Sequence, residues 1–256
     1  KIAGRTLDYL SGIFGASPFA DGTYTGLCNS MGKGAVDISI ALPAVTKVSQ
    51  VASINRFASA YTEGPVISFG GIHPECENYK EILKEIKNLG LKGIKLHPDY
   101  QDMYFDNIRY ERIIDAASEL GLITVVHAGV DPKCPEDVHC TPKMARKVLD
   151  DVKPEKLVLA HMGGNEMWDD VERYLVGQNV YFDTGVILNT MPQEQFLRIV
   201  HMHGADRILF GTDSPWADQK NFVGVVRAYA TDRGRERLPS FSEKCKEISW
   251  EYSRQK

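Results

Sequence analysis

The chain has 256 residues, 43% of them hydrophobic and 25% charged, with a formal charge of −4; this is ordinary for a globular protein and is enough chain to build one large α/β domain. No apolar run approaches the ~18 residues a membrane span requires. The 34 acidic and 30 basic residues are mixed along the chain without a basic stripe that could neutralise a phosphate backbone, so neither a membrane nor a nucleic acid is an expected partner.

The chain opens on a helix-like stretch, KIAGRTLDYLSGIF. From there short apolar runs alternate with amphipathic stretches whose apolar residues recur every three or four positions. Strands are expected over 36–42, 66–72, 93–97, 123–127, 157–161, 180–183 and 207–210, and helices over 47–60, 79–89, 108–120, 142–149, 166–176 and 193–202. Two further helices are expected over 221–230 and 243–253. Gly90 and Gly121 stand where helices end. The alternation specifies a parallel sheet wrapped by helices, and continuously apolar runs such as LITVV and KLVLA suit a sheet covered on both faces. A doubly wound open sheet fits this too. The polar residues decide for a barrel, because several strands finish in His or Asp, and a barrel gathers such ends around one mouth. Seven strands follow a helix with no strand before it, which implies that a first strand precedes this segment of chain. A single (β/α) barrel domain over 1–256 is the expected organisation.

Five cysteines, Cys28, Cys76, Cys134, Cys140 and Cys245, form no CxxC pair and follow no secretory signal. They read as reduced thiols of a cytoplasmic protein.

The residues that carry chemistry stand at strand ends. His127 ends TVVHAG, His161 ends LVLAHMGG and Asp213 follows the last strand in ILFGTDSPW. Separations of 34 and then 52 residues match one and then two βα repeats, so the three can converge at one barrel face. Singly, each has a plainer reading, as a hydrogen-bonded core histidine or as an aspartate capping a turn. Lys95 and His97 lie on one face of GIKLHP, the barrel interior. His97 is a candidate substrate contact. Lys95 sits a layer deeper, as an ion pair with a carboxylate such as Asp183 or as a carbamylated lysine bridging two metals. His73 in GGIHPE, His139 in the long loop after the fifth strand and Trp216 after TDSP are further candidates for the substrate pocket. His201 and His203 are expected on a helix surface, and Gly163 and Gly164 in a turn into a helix from about residue 165.

GGIHPE, GIKLHPDYQ, VVHAGVD, VHCTPK, LVLAHMGG, VYFDTG and ILFGTDSPW occur in an order that resembles the amidohydrolase 2 family, which includes aminocarboxymuconate-semialdehyde decarboxylase. The resemblance implies a distorted (β/α)8 TIM-type barrel that binds zinc or a similar divalent ion through a first-strand His-x-His, a fifth-strand His and an eighth-strand Asp. It matches His127 to the fifth-strand ligand, Asp213 to the eighth-strand ligand and His161 to the sixth-strand proton-transfer histidine. The only His-x-His here is His201 and His203, inside a helical stretch. The implied motif therefore belongs to a first strand about a dozen residues before Lys1. TatD-type nucleases share the GIHP phrase, but would place a glutamate where this chain has Lys95. A divalent ion can lower the pKa of bound water to about 7, and His161 can carry the proton. The function implied is metal-dependent hydrolysis of a C–N or C–O bond in a small anionic or cyclic substrate. The alternatives are non-oxidative decarboxylation in the same family, or a non-catalytic binding barrel should the first-strand motif be absent. A homodimer is the commonest closed oligomer.

Overall fold

In the computed structural model, which describes residues 2–231, the apolar periodicity of the opening stretch is realised as α1 (Ile2–Phe14). The expected helix over 243–253, with Cys245 and Trp250, lies outside the described residues. A helix not foreseen follows, α2 (Tyr24–Gly34), whose three glycines disguise it. It forms because Thr23 caps it, the hydroxyl accepting the Gly26 N–H at 3.0 Å while Asp21 holds Thr23. The described residues fall into two compact units, one built from the chain up to Ile38 and from Asp183 onward, the other from Ser39 to Phe182.

The 39–182 unit is a parallel β/α array. Its first strand, β1 (Ser39–Ala41), is shorter than the apolar run suggests and pairs with β2 (Val66–Ser68). The expected 66–72 strand is broken at Phe69, whose N–H turns to the Ala41 carbonyl; β3 (Gly70–Gly71) then pairs with β4 (Gly93–Leu96). The order continues through β5 (Ile123–Val126), β6 (Leu157–Leu159) and β7 (Tyr181–Asp183), every pair parallel. Between them run α3 (Val51–Ala58), α4 (Tyr79–Asn88), the short α5 (Pro98–Gln101), α6 (Ile108–Glu119), α7 (Pro142–Val152) and α8 (Trp168–Tyr174). The helix expected over 166–176 begins only at Trp168, because Asn165 is held in a bridge to Gly129.

Burial follows the periodicity. Tyr110, Ile113, Ile114 and Ala117 form the inner stripe of α6, as Leu83 and Ile86 do on α4 and Ala145, Val148 and Leu149 on α7. They cover strands whose residues Ile94, Leu96, Val126, Leu157 and Leu159 are buried as well. Gly163 and Gly164 serve packing: a Cβ on the first would meet the Phe182 ring, and one on the second Pro142 and Val171.

In the other unit, Thr184 binds Leu209 of β8 (Ile208–Leu209) through its N–H and Gly211 through its hydroxyl. Then come α9 (Gln193–His203), earlier in the chain, and α10 (Gln219–Thr231), which packs on α2; a Cβ on Gly34 would stand 3.2 Å from Gln219. On α9, His201 is exposed as expected, but His203 is buried, because residues two apart on a helix point to different sides. Among the described residues no helix is long and apolar enough to cross a membrane.

Gly129 has φ +87°, and a Cβ there would run into the Asn165 backbone. Gly129→Ala is expected to cost at least about 2 kcal/mol, lowering the thermal midpoint by roughly 5 °C. Gly177→Ala, also at positive φ but in open space, is expected to cost about 1 kcal/mol. Equal midpoints for the two variants would contradict this account.

Candidate active site

Parallel register brings the strand-end histidines together. Leu96 is level with Val126, and Val126 with Leu159. One residue further, the His127 N–H binds the Leu96 carbonyl and the Ala160 N–H binds the Val126 carbonyl. His97 and His127 therefore leave adjacent strands side by side, their rings stacked at 4.2 Å and 7°. The chain after His97 turns sharply at Pro98, so Tyr100 folds back on the outer face of the His97 ring at 3.7 Å. Gln101 completes the brace. Its amide donates to the Val45 and Ile72 carbonyls, and its oxygen accepts from the His97 N–H and the Tyr110 hydroxyl.

His161 reaches the same place by a different backbone route. Both His161 and Met162 have positive φ, 59° and 54°, a conformation that costs roughly 1–2 kcal/mol for each non-glycine residue. That turn sets Nε2 of His161 3.0 Å from Nδ1 of His127, and the Trp168 indole N–H is bonded to the His161 carbonyl.

Two carboxylates complete the cluster, and neither was singled out in the sequence. Asp131 comes from the loop after β5, which is latched to Asn165 through three hydrogen bonds. Its Oδ1 takes the Lys133 N–H, and its Oδ2 stands 3.7 Å from His97 Nε2 and 3.8 Å from His127 Nε2. Asp99, in α5, places Oδ2 3.7 Å from His127 Nε2 and gives Oδ1 to His139. A carboxylate two residues after one strand-end histidine, and another four after the next, was the available signal.

Burial governs the electrostatics. It pushes His97 and His127 well below the usual histidine value, with the charges of Lys95 and His161 and, for His97, Lys133 adding to it. It pushes Asp99 and Asp131 up from the usual carboxylate range, against the hydrogen bonds from His139 and Lys133. The cluster is thus two neutral imidazoles beside two carboxylates whose ionisation burial opposes. Among the described residues, His97, His127 and Asp131 form a group whose ligand atoms all lie within 4.8 Å of one another. His97 Nδ1, His127 Nε2 and Asp99 Oδ2 are buried with no hydrogen-bond partner. Contacts of 3.7–3.8 Å are too long for hydrogen bonds, but they approach the separation of about 3.5 Å between donors of one tetrahedral ion. The residues fit a divalent cation.

The other candidates are placed as follows. Lys95 is buried on β4, level with Val125. His139 is buried rather than exposed on its loop. His73 is buried beside Glu75 of its own turn, whose N–H it accepts at 3.3 Å. Asp213 and Trp216 belong to the other unit. Asp213 is exposed at φ +53°, its carbonyl accepting the Trp216 N–H, and Trp216 packs edge-on against Phe14 at 4.6 Å.

A family model described as amidohydrolase matches residues 34–228. No match is found among curated protein sequences. Among solved structures, an uncharacterized TIM-barrel protein from Bordetella bronchiseptica superposes with a TM-score of 0.68 at 20% identity, over 98% of this chain and 89% of that one. The 2,6-dihydroxybenzoate decarboxylase from Rhizobium gives 0.64 at 16% identity, over 81% and 82%. A dihydroxybenzoic acid decarboxylase from Polaromonas sp. JS666, with bound manganese and the inhibitor 2-nitroresorcinol, gives 0.64 at 16% identity, over 91% and 85%. These likenesses establish the fold as an α/β barrel of the TIM type.

The buried histidines make a prediction for the metal-free protein. A histidine held below its usual value of 6.5 takes up a proton on unfolding, so the stability it permits is full above that value and is lost as pH falls towards the folded value. Each such group contributes a slope of at most about 1.4 kcal/mol per pH unit. Asp99 and Asp131, raised from 3.8, act oppositely, so the comparison must isolate one histidine. In chelator, denaturant titrations should show His97→Asn losing less stability than the unmutated chain between about pH 6.5 and pH 5. Parallel curves would contradict a neutral, buried His97.

Proposed function

Within the amidohydrolase family, to which this chain belongs, we propose that the protein is a metal-dependent enzyme that removes carbon dioxide from a small carboxylic acid without oxidation. The observation that carries the reading is the His161–His127 pair at 3.0 Å, set beside the unpartnered Nε2 of His127. His127 Nε2, His97 and Asp131 would hold a divalent ion of the zinc or manganese kind. When bound, such an ion acts as a Lewis acid that stabilises negative charge on substrate oxygens.

The protein groups do the remaining work. With Nε2 of His127 given to the cation, Nδ1 carries the proton and donates to His161 Nε2, which fixes the ring orientation of both. His161 then holds its own proton on Nδ1. As the C–C bond to the carboxyl group breaks, its electron pair stays on the substrate carbon. His161 gives its Nδ1 proton to that carbon as its Nε2 takes the His127 Nδ1 proton, and a solvent proton restores the pair, so that R–COO⁻ and H⁺ give R–H and CO2. Lys95 and Lys133, whose charges are felt at His97, favour an anionic substrate. Burial of His97, His127, His161, Asp99 and Asp131 strengthens these interactions by lowering the local dielectric. The decarboxylases among the structural neighbours support aromatic hydroxy acids as the first substrates to try.

Hydrolysis is the second reading, favoured by the unpartnered Asp99 oxygen, which could accept a proton from an attacking water. The products separate the two: trapped CO2 with loss of the carboxyl group, or a cleaved acid with no CO2. In either case His127→Ala should lower metal content and turnover together. His161→Ala should retain most of its metal at saturating ion while turnover falls by about 10² to 10⁴. Full activity in either variant would contradict the assignment.

A further inference from the structure

We propose that Asp99 is a further donor to the metal centre and that His139 is the positioning residue that aims it. The inference rests on the metal centre proposed above and on one pair of atoms. Asp99 Oδ2 and His127 Nε2 are both buried, both without a hydrogen-bond partner, and face each other at 3.7 Å. The Asp99 side chain has no solvent exposure and that of His127 has 8%, so water in bulk does not satisfy them. A carboxyl oxygen and an imidazole nitrogen left so would each cost free energy. A cation held between them satisfies both.

The other oxygen of Asp99 shows that the carboxylate is aimed. Oδ1 accepts the backbone N–H of His139 at 3.2 Å and faces its Nδ1 at 3.3 Å. With Asp99 ionised beside a cation, Oδ1 would only accept, and His139 Nδ1–H is the donor placed to meet it. His139 is itself fixed. Its carbonyl takes the Phe105 N–H, its ring stacks on Tyr104 at 4.9 Å, and the Tyr104 hydroxyl binds Asp137 at 2.7 Å. Asp102 and Asp137 stand 3.7 and 3.9 Å from its Nε2. This is the arrangement by which an outer histidine orients and tunes a carboxylate ligand. His139 thus reaches the centre through Asp99.

The test titrates the full chain, stripped by chelator, with Mn²⁺ alone, and follows the free ion by electron paramagnetic resonance. Thermal midpoints of the metal-free proteins are measured alongside. Asp99→Asn keeps an acceptor for the His139 N–H but loses the anionic donor. It should weaken Mn²⁺ binding at least about 100-fold while the metal-free midpoint stays level or rises. His139→Gln should weaken binding about 10-fold, the scale of an outer partner. Mn²⁺ binding by Asp99→Asn within about threefold of the unmutated chain would overturn the inference. Should metal-free Asp99→Asn fail to fold, His139→Gln decides, and unchanged binding in that variant overturns the proposal equally. His127→Asn separates this from the reading beneath it. If His127→Asn binds Mn²⁺ normally, the metal centre itself is refuted; if it loses the ion while Asp99→Asn does not, only the role of Asp99 falls.

Discussion

In a parallel ladder the backbone hydrogen bonds fix which residues are level, and here two of them decide the chemistry. The bond from the His127 N–H to the Leu96 carbonyl and that from the Ala160 N–H to the Val126 carbonyl bring β4, β5 and β6 to an end at one height. The residues just past those ends, His97, His127 and His161, emerge together for that reason. A slip of one residue in any of these strands would reverse which side chains face inward and would separate the rings. The covering helices and the bonds that Gln101 and Asn165 make to neighbouring loops hold that register.

The cluster so formed runs against ordinary packing economy. Two imidazoles and two carboxylates are buried, three of their polar atoms lack partners, and His161 and Met162 adopt positive φ. Each feature destabilises the chain by itself. Together they describe a place shaped for a charge that the side chains do not supply. A divalent cation would let the carboxylates ionise and use the imidazole lone pairs, so its binding energy would offset much of the cost of assembling the site. His139 and Tyr100 pack against Asp99 and His97 and would hold both groups in place before an ion binds. A ligand that must be ready before the ion arrives is held by neighbours rather than by the ion.

Much of this was legible in the amino-acid sequence. The βα alternation and the place of each apolar run follow from periodicities of 2 and 3.6, because burial enforces them. The phrases around His127, His161 and Asp213 pointed to one site; the His127 and His161 rings meet, while Asp213 belongs to the other unit. Other features depend on through-space geometry that periodicity does not encode. The break at Phe69 depends on where the Ala41 carbonyl lies, and α2 is glycine-rich, formed through its Thr23 cap and its packing on α10. His203 is buried because it lies on the inner side of its helix, though it reads as a surface residue beside His201. Asp99 sits in the single-turn α5 and Asp131 in a loop, neither long or regular enough to show a periodicity, and only the sharp turn at Pro98 and the latch to Asn165 turn them towards the histidines.

The central claim is that His97, His127 and Asp131 share one divalent ion. Crystals of the full chain grown with Mn²⁺, and an anomalous difference map recorded at the manganese edge, test it most directly. The account predicts one strong peak bonded to His127 Nε2 and to a carboxylate oxygen of Asp131, with His97 in contact with the same ion. A fully occupied ion elsewhere in the molecule, with His127 Nε2 bonded to no metal, would contradict it.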